Sequence, residues 1–417
     1  MNPTPIQIIG AALFCIAVLH TFLTKHLEHL ARAYPNHAGF FHLLGEVEVV
    51  FGFWAMVMMA AFVATSGTSD ALAYIESRNF TEPMFVFVIM VVAASKPVTF
   101  VVEKVVVGLS TQTPMNVGMA LYFIILFAVP LLGSFVTEPA AMTIAAFMLR
   151  DIIFKKHSSS KLRYATLGVL FVNVSIGGTL TTFAAPPVLM VAAQWNWDMM
   201  FMLTHFGWKF ALACGVNAAI ATCLFRNELK SIQPPAHSSD EIPLSVSLIH
   251  IAFLVLVVMT AHHPAVFMSV FLFFIGFTTA YKKYQNPLIL REALLVGFFL
   301  AGLVVLGGLQ QWWLEPTLLN MDSTSVYYGA IALTAITDNA ALTYLGSLVE
   351  GLSEEFKISL VAGAVTGGGL TLIANAPNPA GAAILKGKFD EQTINPLALL
   401  AAACPPTLVA ILAFRLL

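Results

Sequence analysis

Two short polar islands hold the residues whose types and spacing suggest chemistry. TEPAAMTIAA occupies residues 137 to 146 and TDNAALTYLG residues 337 to 346, with the acid, an Ala pair and a second Thr at matching places. Glu138 and Asp338 stand in stretches otherwise apolar enough for a lipid bilayer. An ionised carboxylate is costly there, so each acid needs a partner or must be protonated. Burial disfavours the charged form and a bound cation restores it. A site that holds either a proton or a cation is the minimum machinery of cation/proton exchange. Thr137, Thr337 and Asn339 add hydroxyl and amide oxygens beside the acids, and a hard cation such as Na+ favours an all-oxygen shell. The plainer alternative is that each acid caps the helix that follows it; capping and ligation are compatible.

Each island is followed by a second irregular segment: GGTLTTFAAPP at 177 to 187 and GGGLTLIANAPNP at 367 to 379. Gly and Pro clusters inside long apolar runs break a helix and expose backbone carbonyls at membrane depth. Thr181, Thr371, Asn375 and Asn378 add side-chain oxygens to those breaks. GEVEVVFGFW, residues 45 to 54, puts Glu46 and Glu48 on different helix faces, either in a proton path or at the mouth near Lys25 and Arg32. Lys96 and Lys209 are lone cations within apolar runs, each expected to neutralise one of the carboxylates. His20, His26, His29, His37 and His42 cluster without metal-ligand spacing and read as a solvated basic surface. Cys15, Cys214, Cys223 and Cys404 are scattered apolar positions.

The elements that must position these residues are membrane helices. The chain has 417 residues, 59% hydrophobic and 10% charged, with mean hydropathy +0.85; a soluble domain carries about a quarter charged residues. Runs of about 20 apolar residues, enough for one crossing, fall near 5–24, 40–65, 82–109, 161–195, 199–225, 244–262, 264–281, 291–313, 356–387 and 393–415. The first run lacks a basic leader segment and reads as a membrane helix rather than a removed signal. The blocks near 117–155 and 320–352 are each interrupted midway by an island, the pattern of a re-entrant hairpin whose tip is buried in protein. With the N-terminus outside and both hairpins returning to their own side, fifteen of the 20 Lys and Arg fall inside and only Arg78, Lys357 and Arg415 outside, as the inside preference of basic residues requires.

The expected fold is an all-α polytopic membrane protein built as an inverted repeat. Each repeat has five transmembrane helices, one of them broken, and one re-entrant hairpin, giving about ten helices and two hairpins. The first repeat spans 1–225, a cytoplasmic linker 226–243 and the second repeat 244–417. Inverted repeats with paired broken helices are the signature of a secondary transporter with its site at the repeat interface.

IGGTLTTFAAPP resembles the Gly-Gly-Thr to Pro-Pro segment of the ion transporter superfamily, which holds arsenite permeases, type D Na+/H+ antiporters and divalent anion/Na+ symporters. TDNAALTYL resembles the hairpin tips of the antiporter branch, and the layout is similar to a bacterial family of Na+/H+ antiporters. The resemblance implies a scaffold and a transport unit in each protomer, a homodimer in the bacterial inner membrane, and cation sites at the tips and breaks. Carried over, those sites fall on Thr137, Glu138, Thr181, Thr337, Asp338, Asn339, Thr371 and Asn375. The chain departs from the symporters, whose tips lack an acid, and from the antiporters in the Glu-Pro of its first tip.

The expected activity is exchange of cytoplasmic Na+ for external protons by alternating access, with Na+ held by Asp338 and Glu138, no cofactor beyond the transported ions, and no enzymatic chemistry. A Na+- or proton-coupled organic acid or inorganic anion carrier on the same scaffold is the alternative, and a non-transporting membrane protein the second. No phosphate-binding loop, nucleophile elbow or dinucleotide fingerprint appears, which disfavours ATP-driven transport and hydrolysis. A net charge of -2 argues against nucleic acid.

Overall fold

The computed structural model describes residues 3–154, 158–232 and 242–417, except for the side chains at 22, 24–26, 28, 29, 31, 32, 47, 48 and 391. Glu48, Lys25, Arg32, His26 and His29 are therefore outside the described side chains, and most of the 226–243 linker is outside the described residues.

Every regular element among the described residues is helical. The first half contains α1 (Pro5–Ala33), α2 (Val47–Ser66), α3 (Thr81–Ala93), α4 (Lys96–Gln112), α5 (Val117–Val136), α6 (Glu138–Met148), α7 (Ser160–Gly177), α8 (Pro186–Ala192) and α9 (Trp208–Leu224). The second contains α10 (Leu244–Met259), α11 (Pro264–Ala280), α12 (Leu290–Gly307), α13 (Gln311–Leu318), α14 (Ser323–Thr334), α15 (Asn339–Ser347), α16 (Glu354–Gly367), α17 (Asn378–Leu385) and α18 (Pro396–Leu416).

Local chemistry explains many of the boundaries. Thr4 and Gln7 close a capping box at the start of α1, with Pro5 at the first turn where no N–H is needed. Ser159 and Ser353 cap α7 and α16 in the same way, each side chain accepting the backbone N–H three residues on. The outward faces are apolar, with Leu19, Met259, Phe273 and Leu397 among the most exposed residues. A bilayer tolerates such a surface where water does not.

Five helices among the described residues are individually long and apolar enough to cross a membrane: Val49–Ser66, Val117–Val136, Met199–Leu224, Leu290–Gly307 and Pro396–Leu416. The ten expected spans are thus not ten unbroken rods. Pro5–Thr21, α10 and α11 are apolar but shorter, and the runs 161–195 and 356–387 are interrupted. The run 82–109, expected as one helix, is bent by 63° between α3 and α4. Pro97 lies in the first turn of α4 and brings no N–H, so it cannot continue the α3 ladder. Ser95 instead returns its hydroxyl to the Val92 carbonyl at 2.7 Å.

One buried apolar cluster is built largely from α1, α2, α3 and α10 to α12. A second joins α5, α6, α7 and α9 and extends to α17. Polar groups inside these layers are stitched to backbone. Asn173, fully buried in α7, donates to the Leu126 carbonyl at 2.8 Å and the Cys214 carbonyl at 3.1 Å, which ties α7 to α5 and α9.

Candidate cation site

The polar centre forms where helices stop. Between α5 and α6 only Thr137 intervenes, at φ 84° and ψ 150°, a region other residues leave to glycine because a Cβ costs about 1–3 kcal/mol there. α7 ends at Gly177, passes through a tight turn at Gly178–Leu180 and an extended stretch, and resumes as α8 at Pro186. Pro186 and Pro187 supply no N–H and hold the preceding residue extended. α16 ends at Gly367 and α17 starts only at Asn378, with Pro377 and Pro379 on either side.

The islands bind these breaks in matching ways. The Glu138 N–H donates to the Ala184 carbonyl at 3.4 Å, and the Asn339 N–H to the Ala374 carbonyl at 3.2 Å. The Thr181 hydroxyl donates to the Ser134 carbonyl at 2.5 Å, and the Thr371 hydroxyl to the Ala335 carbonyl at 2.8 Å. Two glycines make the approach possible. A Cβ on Gly178 would lie 2.6 Å from Glu138 Oε1, and one on Gly368 would lie 2.9 Å from Asn339 Nδ2. The hydroxyl protons of Thr181 and Thr371 are thus committed to the backbone, and their oxygens keep lone pairs for a ligand.

Glu138 is fully buried. Its Oε2 accepts the Asn375 amide at 2.8 Å, a bond that crosses from one half of the chain to the other. Its Oε1 has no hydrogen-bond partner, and neither have the buried oxygens Thr137 Oγ1, Asn339 Oδ1, Asn375 Oδ1 and Asn378 Oδ1. Asn378 spends its amide hydrogens on the Gly368 and Thr371 carbonyls, both at 2.8 Å. Buried polar atoms are nearly always satisfied, so several partnerless acceptors shared among the two tips and the second break, together with the partnerless Asn339 amide nitrogen, mark a polar centre that can take a ligand accepting electron pairs. A desolvated hard cation does so.

Asp338 is placed differently. Its Oδ1 caps α15, accepting the Ala340 and Ala341 N–H groups at 2.8 and 3.2 Å. The capping alternative therefore describes Asp338, whereas Glu138 opens α6 without a side-chain cap. Asp338 also lines a narrow crevice together with Asn375, and an apolar cavity of about 280 Å³ walled by Phe14, Phe51, Phe299 and Trp313. The crevice, the Asn375 amide and Glu138 thus bring both islands to one locus.

Other expected positions fall elsewhere. Thr337 returns its hydroxyl to the Leu333 carbonyl at 2.8 Å and faces the apolar cavity. Glu46 precedes α2 and pairs with Arg291 at 2.5 Å; Lys25 and Arg32, expected near it, lie outside the described side chains. Lys209 was expected to neutralise a carboxylate, but its ammonium lies 4.9 Å over the Phe414 ring and 5.9 Å over that of Trp208. No carboxylate among the described residues is within ion-pair distance of it, because its face of the helix turns to α18 and not to the breaks. Lys96 opens α4 at the bend. His20 joins helices: Nδ1 accepts the Trp54 indole N–H and Nε2 meets the Leu44 carbonyl, each at 3.0 Å.

Sequence reading missed Ser134. Its hydroxyl donates to the Gly177 carbonyl at 2.6 Å and accepts the Leu180 N–H at 3.0 Å, which locks the first break onto α5. The available signal was a lone serine one turn before the acid.

An apolar-faced, all-helical chain with a buried oxygen-lined centre at paired helix breaks has the make-up of a polytopic membrane transporter. The profile of the family described as "Putative Na+/H+ antiporter" matches residues 5–417, and the chain belongs to that family. It is thus a membrane protein and a transporter rather than an enzyme. Among curated proteins none matches the chain.

Proposed function

We propose that the protein exchanges Na+ for protons, with Glu138 and Asp338 as the groups that hold either ion. The carrying observation is the set of partnerless buried oxygens at the tips and the second break: Glu138 Oε1, Thr137 Oγ1 and the amide oxygens of Asn339, Asn375 and Asn378, with Asn375 bonded to Glu138. In the cation-loaded form these oxygens surround Na+ together with break carbonyls. In the proton-loaded form the carboxyls are neutral and the ion has left.

The architecture of this reading is an inverted repeat, 1–225 against 244–417, in which α5–α6 and α14–α15 are re-entrant hairpins and α7–α8 and α16–α17 the broken helices. The paired tip-to-break bonds support the correspondence. The N-terminus lies outside, the membrane is the bacterial inner membrane, the assembly is a homodimer, and the inward proton gradient drives Na+ out as the hairpin unit moves against the scaffold. Lys96, at the bend beside the first hairpin, supplies counter-charge to a tip acid when no ion is bound; Lys209, held against aromatic rings, does not.

The test is Na+-induced dissipation of a pH gradient in proteoliposomes. Wild type is expected to respond, and the double variant Glu138→Gln with Asp338→Asn to be silent while remaining folded. Unchanged exchange in that variant would sink the proposal.

A further inference from the structure

Thr81-Glu82-Pro83, at the start of α3, repeats the Thr-Glu-Pro of residues 137–139. Glu82 lines two cavities. One, of about 480 Å³, is polar and gathers Arg78, Gln194, Gln311, Tyr344 and Glu350, contributed mainly by the connections at one end of the helix bundle. The other, of about 50 Å³, is bounded by Thr81, Glu82, Thr182 and His262 among apolar walls. Thr182 belongs to the first break, next to Thr181 and two residues before the Ala184 carbonyl that receives the Glu138 N–H. Glu82 therefore stands between the polar cavity and a small cavity that reaches Thr182 of the first break.

We infer that Glu82 is the proton relay between the polar cavity and Glu138. The inference rests on the exchange reading above. A cavity of about 50 Å³ has room for water, which needs roughly 10–15 Å³ and two to four polar partners; Glu82, Thr81, Thr182 and His262 supply them. The Glu82 carboxyl makes no hydrogen bond to another side chain among the described residues. The titratable and charged groups around it are His262 from the α10–α11 connection, Tyr344 on α15, and Arg78 and Glu350 across the polar cavity. A proton taken from water in the large cavity makes Glu82 neutral. Passing it through water in the small cavity to Glu138 regenerates the Glu82 carboxylate, so one proton enters for each delivered. A bare apolar gap would not conduct it, because each hop needs a group that can bind the proton.

The experiment compares wild type, Glu82→Gln, Glu82→Asp and Thr182→Val in proteoliposomes, recording exchange rate against Na+ concentration and pH. For Glu82→Gln the expected result is a maximal rate about tenfold or more lower, an apparent KM for Na+ within about twofold of wild type, and loss of one limb of the pH profile. Glu82→Asp recovers much of the rate, and Thr182→Val slows exchange without changing the KM. A Glu82→Gln protein with wild-type rate and pH profile overturns the relay, as does a KM that rises with the loss, since that marks an ion ligand. If Glu82→Gln fails to fold, Thr182→Val decides: no slowing overturns the relay. A silent wild type removes the exchange reading and the relay with it.

Discussion

The most incisive perturbation is Asn375→Ala. Asn375 is the side chain that hydrogen-bonds the buried Glu138 carboxylate, and its own Oδ1 lacks a partner. Removing it takes away one hydrogen bond to the ionised carboxylate and one candidate oxygen for the cation, and both losses disfavour the Na+-bound form. A hydrogen bond to a charged group contributes about 1.5–3 kcal/mol. At about 1.4 kcal/mol per factor of ten, that alone is a weakening of roughly 10- to 150-fold. The assay is the initial rate of Na+-driven proton release from proteoliposomes across a range of Na+ concentrations at fixed pH. The apparent KM for Na+ is expected to rise by that factor, with the maximal rate largely retained at saturation. A folded Asn375→Ala protein with an unchanged KM would refute the assignment of Asn375, and with it the view that the two halves of the chain share one ion site.

Two further substitutions probe the frame of the site. Gly178→Ala places a methyl 2.6 Å from Glu138 Oε1 in a buried space, so the carboxyl must shift; displacements of about 1 Å at a reacting group cost up to about a hundredfold, and exchange measured as above should fall by that order. Wild-type exchange in Gly178→Ala would contradict the packing described. Thr137→Gly relieves a backbone held at φ 84° and removes a hydroxyl with no partner, so thermal denaturation in detergent should show stabilisation of about 1 kcal/mol, while the KM for Na+ rises if the hydroxyl is a ligand. A destabilised Thr137→Gly protein would show that the turn is not strained.

The islands and breaks were legible because Gly, Pro and acids are conspicuous in apolar runs. Thr181 and Thr371, picked by matching position, do make equivalent bonds to the end of the preceding helix. What the sequence did not reveal depends on which face a side chain presents. Lys209 was a lone cation in an apolar run, and only the packing of α18 shows that it rests on Phe414. Glu46 finds Arg291 far along the chain, a pairing that no local pattern encodes. The bend before Lys96 was hidden because Pro in a first helical turn is ordinary. Asn375 bonding Glu138 breaks the symmetry that guided the reading, since its counterpart in the first break is Ala185. Glu82 passed unnoticed because its Thr-Glu-Pro sits at the edge of an apolar run, where an acid is unremarkable.

The Glu138–Asn375 bond also carries a consequence for synthesis. The tip-to-break bonds of the first half join residues within 50 positions of one another, so they can close as soon as that half is inserted. The partner of Glu138 lies 237 residues further along. At the usual pace of translation the ribosome needs roughly ten to fifty seconds to deliver it. During that interval the nascent first half holds an acid without its amide, and a neutral, protonated Glu138 is the form that can wait in the bilayer. Pulse-labelled chains arrested after the first half should therefore be the forms most exposed to membrane quality control, and Glu138→Gln should lengthen their survival.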